Sequence, residues 1–180
     1  EKSPRYASVD CIRKMIDYIS GKISTVVLVV NPTLDYVHKI IKTLQPSFLQ
    51  FHGDETPKFC NQFDYPYIKA IRVSPDLNIE RAIEHFNPKG GFLFDTWHPK
   101  KYGGTGGTVD WDVLPNELKA PQILAGGLNS TNVGQAIKIA RPDIVDVSGG
   151  VESLKGIKDE RLIANFVDSV GSADMKINKK

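Results

Sequence analysis

Short apolar segments alternate with amphipathic segments along nearly the whole chain, and this alternation most constrains the fold. Six predicted strands begin near residues 25, 48, 68, 91, 122 and 144, so successive starts are 23, 20, 23, 31 and 22 residues apart. Amphipathic segments with helical spacing lie between them. Strands that alternate with helices at this spacing form right-handed βαβ units around a parallel sheet. The sequence therefore predicts an α/β fold.

Local signals support the individual elements. A helix precedes the first strand, with Val9, Ile12, Ile16 and Ile19 on one face and Gly21 as its end signal. The segment 25–30 is apolar at nearly every position, which predicts a strand that is buried on both faces. Three polar residue–proline pairs then predict helix starts. These pairs are Asn31-Pro32, Thr56-Pro57 and Ser74-Pro75.

Two α/β architectures fit the pattern, an open doubly wound sheet and a (β/α)8 TIM barrel. Polar residues follow strand after strand, as expected of the catalytic face of a barrel, and this favours the barrel. They are Asn31, His52, Asp95, Gly126, Gly127 and Ser148. A complete barrel needs about 250 residues. We therefore expect about six of the eight units in this chain, with two strands absent before Glu1 and exposed edges that favour aggregation or complementation by the absent segment.

Length and composition define the class of protein. With 180 residues, no linker and no low-complexity segment, residues 1–180 are predicted to form one domain, with 172–180 a disordered tail. A net charge of +2 on scattered Lys and Arg residues argues against nucleic-acid binding. No apolar run approaches the roughly 18 residues of a membrane span. Cys11 and Cys60 show no metal-ligand spacing and are typical of a reducing cytoplasm.

The segment 91–111 is the leading candidate for chemistry. An apolar strand ends in Asp95 and opens into a long polar loop with two glycine pairs, at 103–104 and 106–107. An α/β enzyme places a catalytic acid at such a position. The alternative is that the Asp95 carboxylate only caps the strand or the next turn. The residues alone leave both interpretations open.

The last two predicted strands end in similar segments, ILAGGLN and VDVSGGVE. Paired glycines let backbone N–H groups approach an anion, and the helix N-termini behind them favour negative charge, so we predict a phosphate site at Gly126, Gly127, Ser148 and Gly149. Most single glycine pairs merely form turns, which is the alternative for each.

Three further polar residues are candidates for substrate contacts. His52 ends the segment FLQFH and either binds substrate or caps the following turn. Arg5 precedes the first helix and is either a ligand contact or a solvated terminal residue. Asp146 alternates with two valines in the last strand, where it contacts a ligand or pairs with a lysine.

Taken together, these segments resemble phosphoribosylanthranilate isomerase, the (β/α)8 enzyme family of tryptophan biosynthesis. The matching segments span residues 2–153 in order. They are KSPRY, FLQFHGDE, FLFDT, KYGGTGGTVDW, LAGGLNSTNV and DIVDVSGGVES. A small departure is SGG at 148–150, where many relatives have SSG.

The resemblance implies a reaction and roles for single residues. The reaction is the Amadori rearrangement of N-(5-phosphoribosyl)anthranilate to 1-(2-carboxyphenylamino)-1-deoxyribulose 5-phosphate, with no cofactor and no metal. Asp95 matches the general acid that protonates the ring oxygen, Arg5 the arginine that holds the anthranilate carboxylate, and His52 a histidine near the substrate. The glycine loops would hold the phosphate. We expect a monomer when the barrel is complete.

One departure from the family pattern is serious. The general base of the family is a cysteine on the first strand, in a KICG-like motif, and this sequence has no such motif. Cys11 and Cys60 lie in predicted helices of the outer ring, where a buried structural thiol is expected. The alternative to an active isomerase is therefore an inactive fragment that retains a phosphate site.

Other phosphosugar barrel enzymes fit less well. An epimerase needs metal-binding His and Asp residues on several strand ends, and only His52 lies in such a place. An aldolase needs a lysine at a strand end. Lys69 is predicted to lie inside its strand without a neighbouring polar cluster.

Overall fold

The computed structural model describes residues 3–19, 21–96, 110–115 and 117–177. The chain divides into two compact units. Unit 1 comprises the residues up to Ala70 together with His85–Gly91, and unit 2 comprises Ile71–Glu84 and the residues from Phe92 onward. The division passes through the third strand.

Unit 1 contains helices that alternate with parallel strands. Its elements are α1 (Val9–Ile19), β1 (Val26–Val29), α2 (Leu34–Leu44), β2 (Phe48–Phe51), α3 (Pro57–Asn61) and the start of β3 (Tyr67–Val73). β2 pairs with β1 on one side and with β3 on the other, and Gln50 is aligned with Leu28 and Ile68. The predicted βαβ units are confirmed in this part of the chain.

Two helix starts were predicted in unit 1, and the structure confirms one of them and shifts the other. Thr56 caps α3 by accepting a hydrogen bond from the Phe59 N–H, and Pro57 is the first helical residue, as predicted. α2 was predicted to start at Asn31-Pro32, but its cap is Thr33. The reason is that Asn31 has a left-handed backbone (φ 46°) and accepts from the Asp54 N–H at 2.8 Å through its side chain. The side chain of Asn31 is thus bound to the loop after β2 and does not cap α2.

The core of unit 1 lies on the helix-facing side of its strands. Val27 and Val29 are buried there with residues of α2, and the Phe51 ring contacts the rings of Phe59, Phe63 and Tyr67. The prediction that the first strand is buried on both faces is wrong. Val26 is 45% exposed and Leu28 is 52% exposed, because successive side chains point to opposite faces and only one face packs against helices.

Unit 2 continues the alternation. Its elements are the end of β3, α4 (Ile79–Ile83), β4 (Gly91–Thr96), a 3-10 helix (Trp111–Val113), β5 (Gln122–Leu124), α5 (Val133–Ala140), β6 (Ile144–Val145), a second 3-10 helix (Gly149–Val151), the antiparallel pair β7 (Glu152–Leu154) and β8 (Ile157–Lys158), and α6 (Glu160–Ile177). β4, β5 and β6 are parallel, with Phe94 aligned with Leu124 and Leu124 with Val145.

The α/β class is confirmed, with six parallel strands that alternate with helices. The last of these strands is shorter than predicted, and the β7–β8 hairpin before α6 was not predicted. α6 reaches Ile177, so the tail predicted to be disordered from residue 172 is helical as far as the structure describes it. The glycine pairs at 103–104 and 106–107 lie outside the described residues. No helix in the described part of the chain is long and apolar enough to cross a membrane.

Candidate active site

Asp95 lies at the carboxyl end of β4 and is 5% exposed. The preceding strand residues are buried as well, because the apolar run Phe92–Leu93–Phe94 forms part of the core of unit 2. Oδ1 of Asp95 accepts a hydrogen bond from the Thr96 N–H at 2.7 Å. A buried carboxylate at a strand end matches the position that the sequence predicted for the catalytic acid.

The first glycine of the loop after β5 lies directly against this carboxylate. A Cβ atom at Gly126 would be 2.9 Å from Oδ1 of Asp95 and 2.3 Å from Oγ1 of Thr96, and the backbone there has φ +84°. Only glycine fits, because both the space and the backbone conformation exclude a side chain. The structure therefore brings together the predicted acid and the first residue of the predicted phosphate loop.

The loops after β5 and β6, which carry the two glycine pairs, also contact each other. A Cβ atom at Gly150 would be 1.9 Å from the Leu128 carbonyl oxygen. The first loop is held by the side chain of Asn132, which donates to the Gly127 carbonyl at 3.0 Å and accepts from the Asn129 N–H at 2.9 Å. The two predicted phosphate loops form one surface within unit 2.

Ser148 takes part in a polar cluster that the sequence did not predict. The ammonium group of Lys158 donates to the Ser148 carbonyl at 2.7 Å and to its hydroxyl at 3.2 Å. The same group forms an ion pair with Glu152 at 3.0 Å. The second glycine loop is therefore held by a lysine whose charge is paired with Glu152.

The helix N-termini differ from the prediction. α5 begins only at Val133, after the Asn129–Asn132 turn, and the three-residue 3-10 helix Gly149–Val151 directly follows Ser148. The long helix α6 begins at Glu160, after the β7–β8 hairpin. In the described residues, no α-helix therefore begins directly after either glycine pair, although the prediction of favourable helix dipoles requires one there.

Asp146 follows β6 and is exposed. Its backbone N–H donates to the Leu124 carbonyl at 2.8 Å, which continues the pairing of β6 with β5 beyond Val145. The residue was predicted to lie within a longer strand. Its substrate-binding role stays a prediction.

His52 lies directly after β2 in unit 1 and is 7% exposed. Its backbone N–H donates to the Val29 carbonyl at 2.9 Å, and its Nδ1 lies 2.9 Å from the Nε2 of Gln50. Gln50 is also buried, at 8% exposed. The alternation Gln50–Phe51–His52 puts both polar side chains on the face of β2 opposite to the Phe51 core.

Lys69 does have a neighbouring polar cluster, and the prediction that it lacks one is wrong. Its ammonium group donates to the Gly53 carbonyl at 2.7 Å and forms an ion pair with Glu55 at 3.0 Å. Glu55 in turn accepts from the N–H groups of Gly53 and Asn31. The stem of Lys69 lies in the strand, but the long side chain carries the charge to the carboxyl end of the sheet.

Arg5 is exposed, and its backbone N–H donates to the Ser3 hydroxyl at 3.1 Å. The residue lies in a turn ahead of α1, as the sequence predicted. Its substrate contact stays a prediction.

The two cysteines occupy different environments. Cys60 is 1% exposed in the core of unit 1, and burial raises the pKa of its thiol from 9.0 to about 12. Cys11 is exposed on α1, so the expectation of two buried thiols is wrong for this residue. Because a thiol with a pKa near 12 is protonated at neutral pH, Cys60 does not supply a base.

Some polar residues near the predicted positions were not predicted from the sequence. In unit 1 they are Gln50, Glu55 and Lys69, and in unit 2 the residue is Lys158. Gln50 could have been predicted from the sequence. It lies two residues before His52 in an apolar strand, so both side chains point to the same face. The others depend on contacts between distant segments. Among the described residues, no group of three or more His, Cys, Asp or Glu side chains is placed to hold a metal ion.

Unit 2 also contains an open cleft beside β4. Its volume is about 640 Å³, and Val73, Asn78, Thr96 and Asp110 are among its lining residues. Thr96, which follows Asp95 in β4, is the lining residue nearest in sequence to the predicted acid.

Comparison with known proteins gives a consistent result. The family model of N-(5'-phosphoribosyl)anthranilate (PRA) isomerase matches residues 1–169. A curated N-(5'-phosphoribosyl)anthranilate isomerase from Pseudomonas putida is 44% identical over 172 residues, which are 96% of this chain and 84% of the relative. The enzyme of the same name from Neisseria gonorrhoeae is 42% identical over 166 residues, covering 92% of this chain and 80% of the relative.

Comparison with solved structures points to the same family. The crystal structure of phosphoribosyl anthranilate isomerase from Thermotoga maritima has a TM-score of 0.83 and 32% identity, covering 95% of this chain and 84% of the other. A phosphoribosyl anthranilate isomerase in complex with reduced 1-(o-carboxyphenylamino)-1-deoxyribulose 5-phosphate has a TM-score of 0.80 and 29% identity.

Proposed function

This chain belongs to the N-(5'-phosphoribosyl)anthranilate isomerase family, and we propose that it carries out the Amadori rearrangement of N-(5-phosphoribosyl)anthranilate in tryptophan biosynthesis. The observation that carries the proposal is the buried Asp95 with Gly126 packed against its carboxylate. This arrangement places an acid next to a glycine loop suited to a phosphate group. The biosynthetic role suits a cytoplasmic protein.

In the proposed mechanism, Asp95 protonates the furanose ring oxygen, and the ring opens to a Schiff base. A base then removes the proton from C2, and the resulting enolamine becomes the ketone product. No cofactor is needed, because the acid and the base supply all proton transfers. The phosphate group fixes the sugar so that the reacting carbon meets these groups.

The phosphate is proposed to bind at Gly126, Gly127, Ser148 and Gly149. Support comes from the contact between the two loops at Leu128 and Gly150. Asp146, His52 and Arg5 are proposed to contact the substrate. Arg5 would hold the anthranilate carboxylate, so Arg5→Ala should raise KM more than it lowers kcat. An unchanged KM would remove Arg5 from the site.

A specific observation favours a second function, binding without turnover. Burial keeps the Cys60 thiol protonated at neutral pH, so it does not serve as the base, and Cys11 lies on the helix α1 rather than at the end of a parallel strand. Part of the Pseudomonas putida relative lies outside the match, and we propose that this part carries the base. A form without a base would bind the phosphosugar but not convert it.

The first experiment measures both functions. Binding of reduced 1-(o-carboxyphenylamino)-1-deoxyribulose 5-phosphate is followed by calorimetry, and turnover by the loss of substrate anthranilate fluorescence. The turnover assay is run on this chain alone and after addition of the part of the Pseudomonas putida relative that the match does not cover. Turnover only after the addition supports the isomerase proposal. Binding without turnover in either form supports the second function, and neither binding nor turnover contradicts both.

The role of Asp95 is tested in the form that turns over. Asp95→Asn keeps the acceptor for the Thr96 N–H but cannot donate a proton, so kcat should fall by at least about 100-fold while the analogue still binds. Asp168→Asn, an exposed position on α6, is the matched control and should leave both values unchanged. Residual activity of Asp95→Asn close to the parent value would contradict the general-acid assignment.

A further inference from the structure

The contact between Gln50 and His52 determines which nitrogen of the imidazole carries the hydrogen. Nε2 of Gln50 lies 2.9 Å from Nδ1 of His52. A side-chain amide nitrogen only donates, so Nδ1 must accept, and a neutral ring then carries its hydrogen on Nε2. We propose that Gln50 is a positioning residue that holds His52 in the Nε2–H tautomer.

The surroundings maintain this contact. Gln50 and His52 are two residues apart at the end of β2, so their side chains lie on one face, and the bond from the His52 N–H to the Val29 carbonyl keeps the chain in register there. The neighbours of Gln50 in the adjacent strands are Leu28 and Ile68, whose side chains have no hydrogen-bonding atoms. Because Gln50 and His52 are both buried, losing the contact would leave two buried polar groups without this partner.

Glu55, on the loop after His52, and Lys69, in β3, pair with each other. The Glu55 carboxylate accepts from the N–H groups of Asn31 and Gly53 and pairs with Lys69. Lys69 also donates to the Phe51 and Gly53 carbonyls. This loop is therefore held by its own ion pair, and the Gln50 amide lies within hydrogen-bond distance of the His52 ring.

The tautomer limits what His52 can do. A ring with hydrogen on Nε2 has no lone pair there, so it neither binds a metal nor removes a proton at that atom. It donates a hydrogen bond to an acceptor oxygen. This step rests on the proposed function: His52 would bind a hydroxyl or carboxylate oxygen of the phosphosugar–anthranilate substrate, and would not replace the cysteine base of the family.

The direct test is a long-range proton–nitrogen NMR spectrum of the full chain with nitrogen-15 in its histidines. The spectrum is recorded at about pH 8, above the ordinary imidazole pKa of about 6.5. The chain has four histidines, and His52→Phe identifies the His52 signals by their loss. We expect a protonated Nε2 and an unprotonated Nδ1. A hydrogen on Nδ1 in the parent protein would overturn the proposal.

Three variants separate orientation by Gln50 from a general structural effect. Gln50→Glu replaces the donor with an acceptor and should move the hydrogen to Nδ1. Gln50→Met keeps the length but neither donates nor accepts, so it should give mixed tautomers. Gln135→Met, an exposed position on α5, should leave the His52 pattern unchanged. Identical His52 patterns in the parent and Gln50→Met would overturn the proposal, even if Gln50→Glu does not fold.

A binding measurement distinguishes failure of this inference from failure of the proposed function. With reduced 1-(o-carboxyphenylamino)-1-deoxyribulose 5-phosphate as the probe, Gln50→Glu should weaken binding by about tenfold, the effect of one lost hydrogen bond. Absence of binding to the parent protein would contradict the proposed function, while the NMR pattern would still decide the tautomer. Equal affinity of the parent, Gln50→Glu and Gln50→Met would overturn the donor role of His52.

Discussion

Nζ of Lys69 lies 3.0 Å from Oε2 of Glu55, and the side chains of this ion pair are 4% and 2% exposed. Lys69 starts from β3, whereas Glu55 lies in the loop after β2. The pair is further satisfied by the Gly53 carbonyl and by the N–H groups of Gly53 and Asn31. It therefore ties Lys69 of β3 to the loops that follow β1 and β2.

Removing one partner of this pair should strongly destabilise the protein. Lys69→Met leaves the Glu55 carboxylate buried without its cation, and we expect the free energy of unfolding to fall by about 3–5 kcal/mol. Urea unfolding followed by circular dichroism measures the change. The double variant Lys69→Met with Glu55→Gln removes both charges, so it should be less destabilised than the sum of the single variants.

The comparison is the pair of Lys158 and Glu152, in which the lysine side chain is 43% exposed and the glutamate side chain is 5% exposed. Because solvent reaches the lysine of this pair but neither partner of the Lys69 pair, Lys158→Met should cost less than Lys69→Met. If Lys69→Met and Lys158→Met lowered the free energy of unfolding equally, the larger contribution expected of the buried pair would be contradicted.

The close approach of Gly126 to Asp95 makes this glycine sensitive to substitution. Gly126→Ala places a Cβ atom 2.7 Å from the Thr96 backbone nitrogen and 2.9 Å from Oδ1 of Asp95. Gly21→Ala is the control, because Gly21 also has a positive φ (+71°) but nothing within 4 Å of the added atom. Backbone strain should lower the free energy of unfolding of both variants by about 1–2 kcal/mol. Crowding should lower that of Gly126→Ala by about 1–3 kcal/mol more. Thermal unfolding of both variants tests this difference, which similar losses would contradict.

The parts of the fold that follow from local pattern were predictable from the sequence. Most strand and helix positions follow apolar periodicity, and the positions of Asp95 and His52 at strand ends were predictable because each directly follows an apolar run. Two helix starts are exceptions. α4 is capped by Asn78 and does not start at Ser74-Pro75. The second exception is Asn31. Its sequence context with Pro32 indicates a helix cap, but the Asp54 N–H from another loop competes for its side chain.

Contacts between distant segments were not predictable. Lys69 appeared to be an isolated lysine within a strand, because nothing local shows that Glu55, fourteen residues earlier, folds back to meet its ammonium group. Lys158 was missed for the same reason, since the β7–β8 hairpin brings it back to Ser148. Leu28 was predicted to be buried because apolar composition shows which residues suit a core, but not whether both faces of a strand are covered.

The two thiols should differ in reactivity towards a disulfide reagent such as Ellman's reagent. Cys11 is exposed and should react in the native protein, whereas Cys60 is buried and should react only after unfolding. We expect one fast equivalent in buffer and two in denaturant. In Cys11→Ser the fast equivalent should disappear, and a fast native reaction in that variant would contradict the burial of Cys60.

Stability should fall at alkaline pH through Cys60. Burial raises the pKa of this thiol in the folded state to about 12, above its ordinary value of 9.0, so folding favours the protonated form. Below pH 9 the thiol is protonated in both the folded and unfolded states, and its full contribution to stability is present. Between pH 9 and 12 the unfolded chain loses the proton and the folded protein retains it, so the free energy of unfolding declines.

The variant Cys60→Ala isolates this contribution. Burial also raises the pKa of Tyr67, from 10.0 to about 12, and that part of the decline remains in both proteins. Urea unfolding between pH 8 and about pH 11 should therefore give a shallower decline in Cys60→Ala than in the parent, whatever the stability of the variant at pH 8. Cys11→Ala should decline like the parent, because this thiol is exposed. Parallel curves for the parent and Cys60→Ala would mean that the thiol ionises with the same pKa in the folded and unfolded chains.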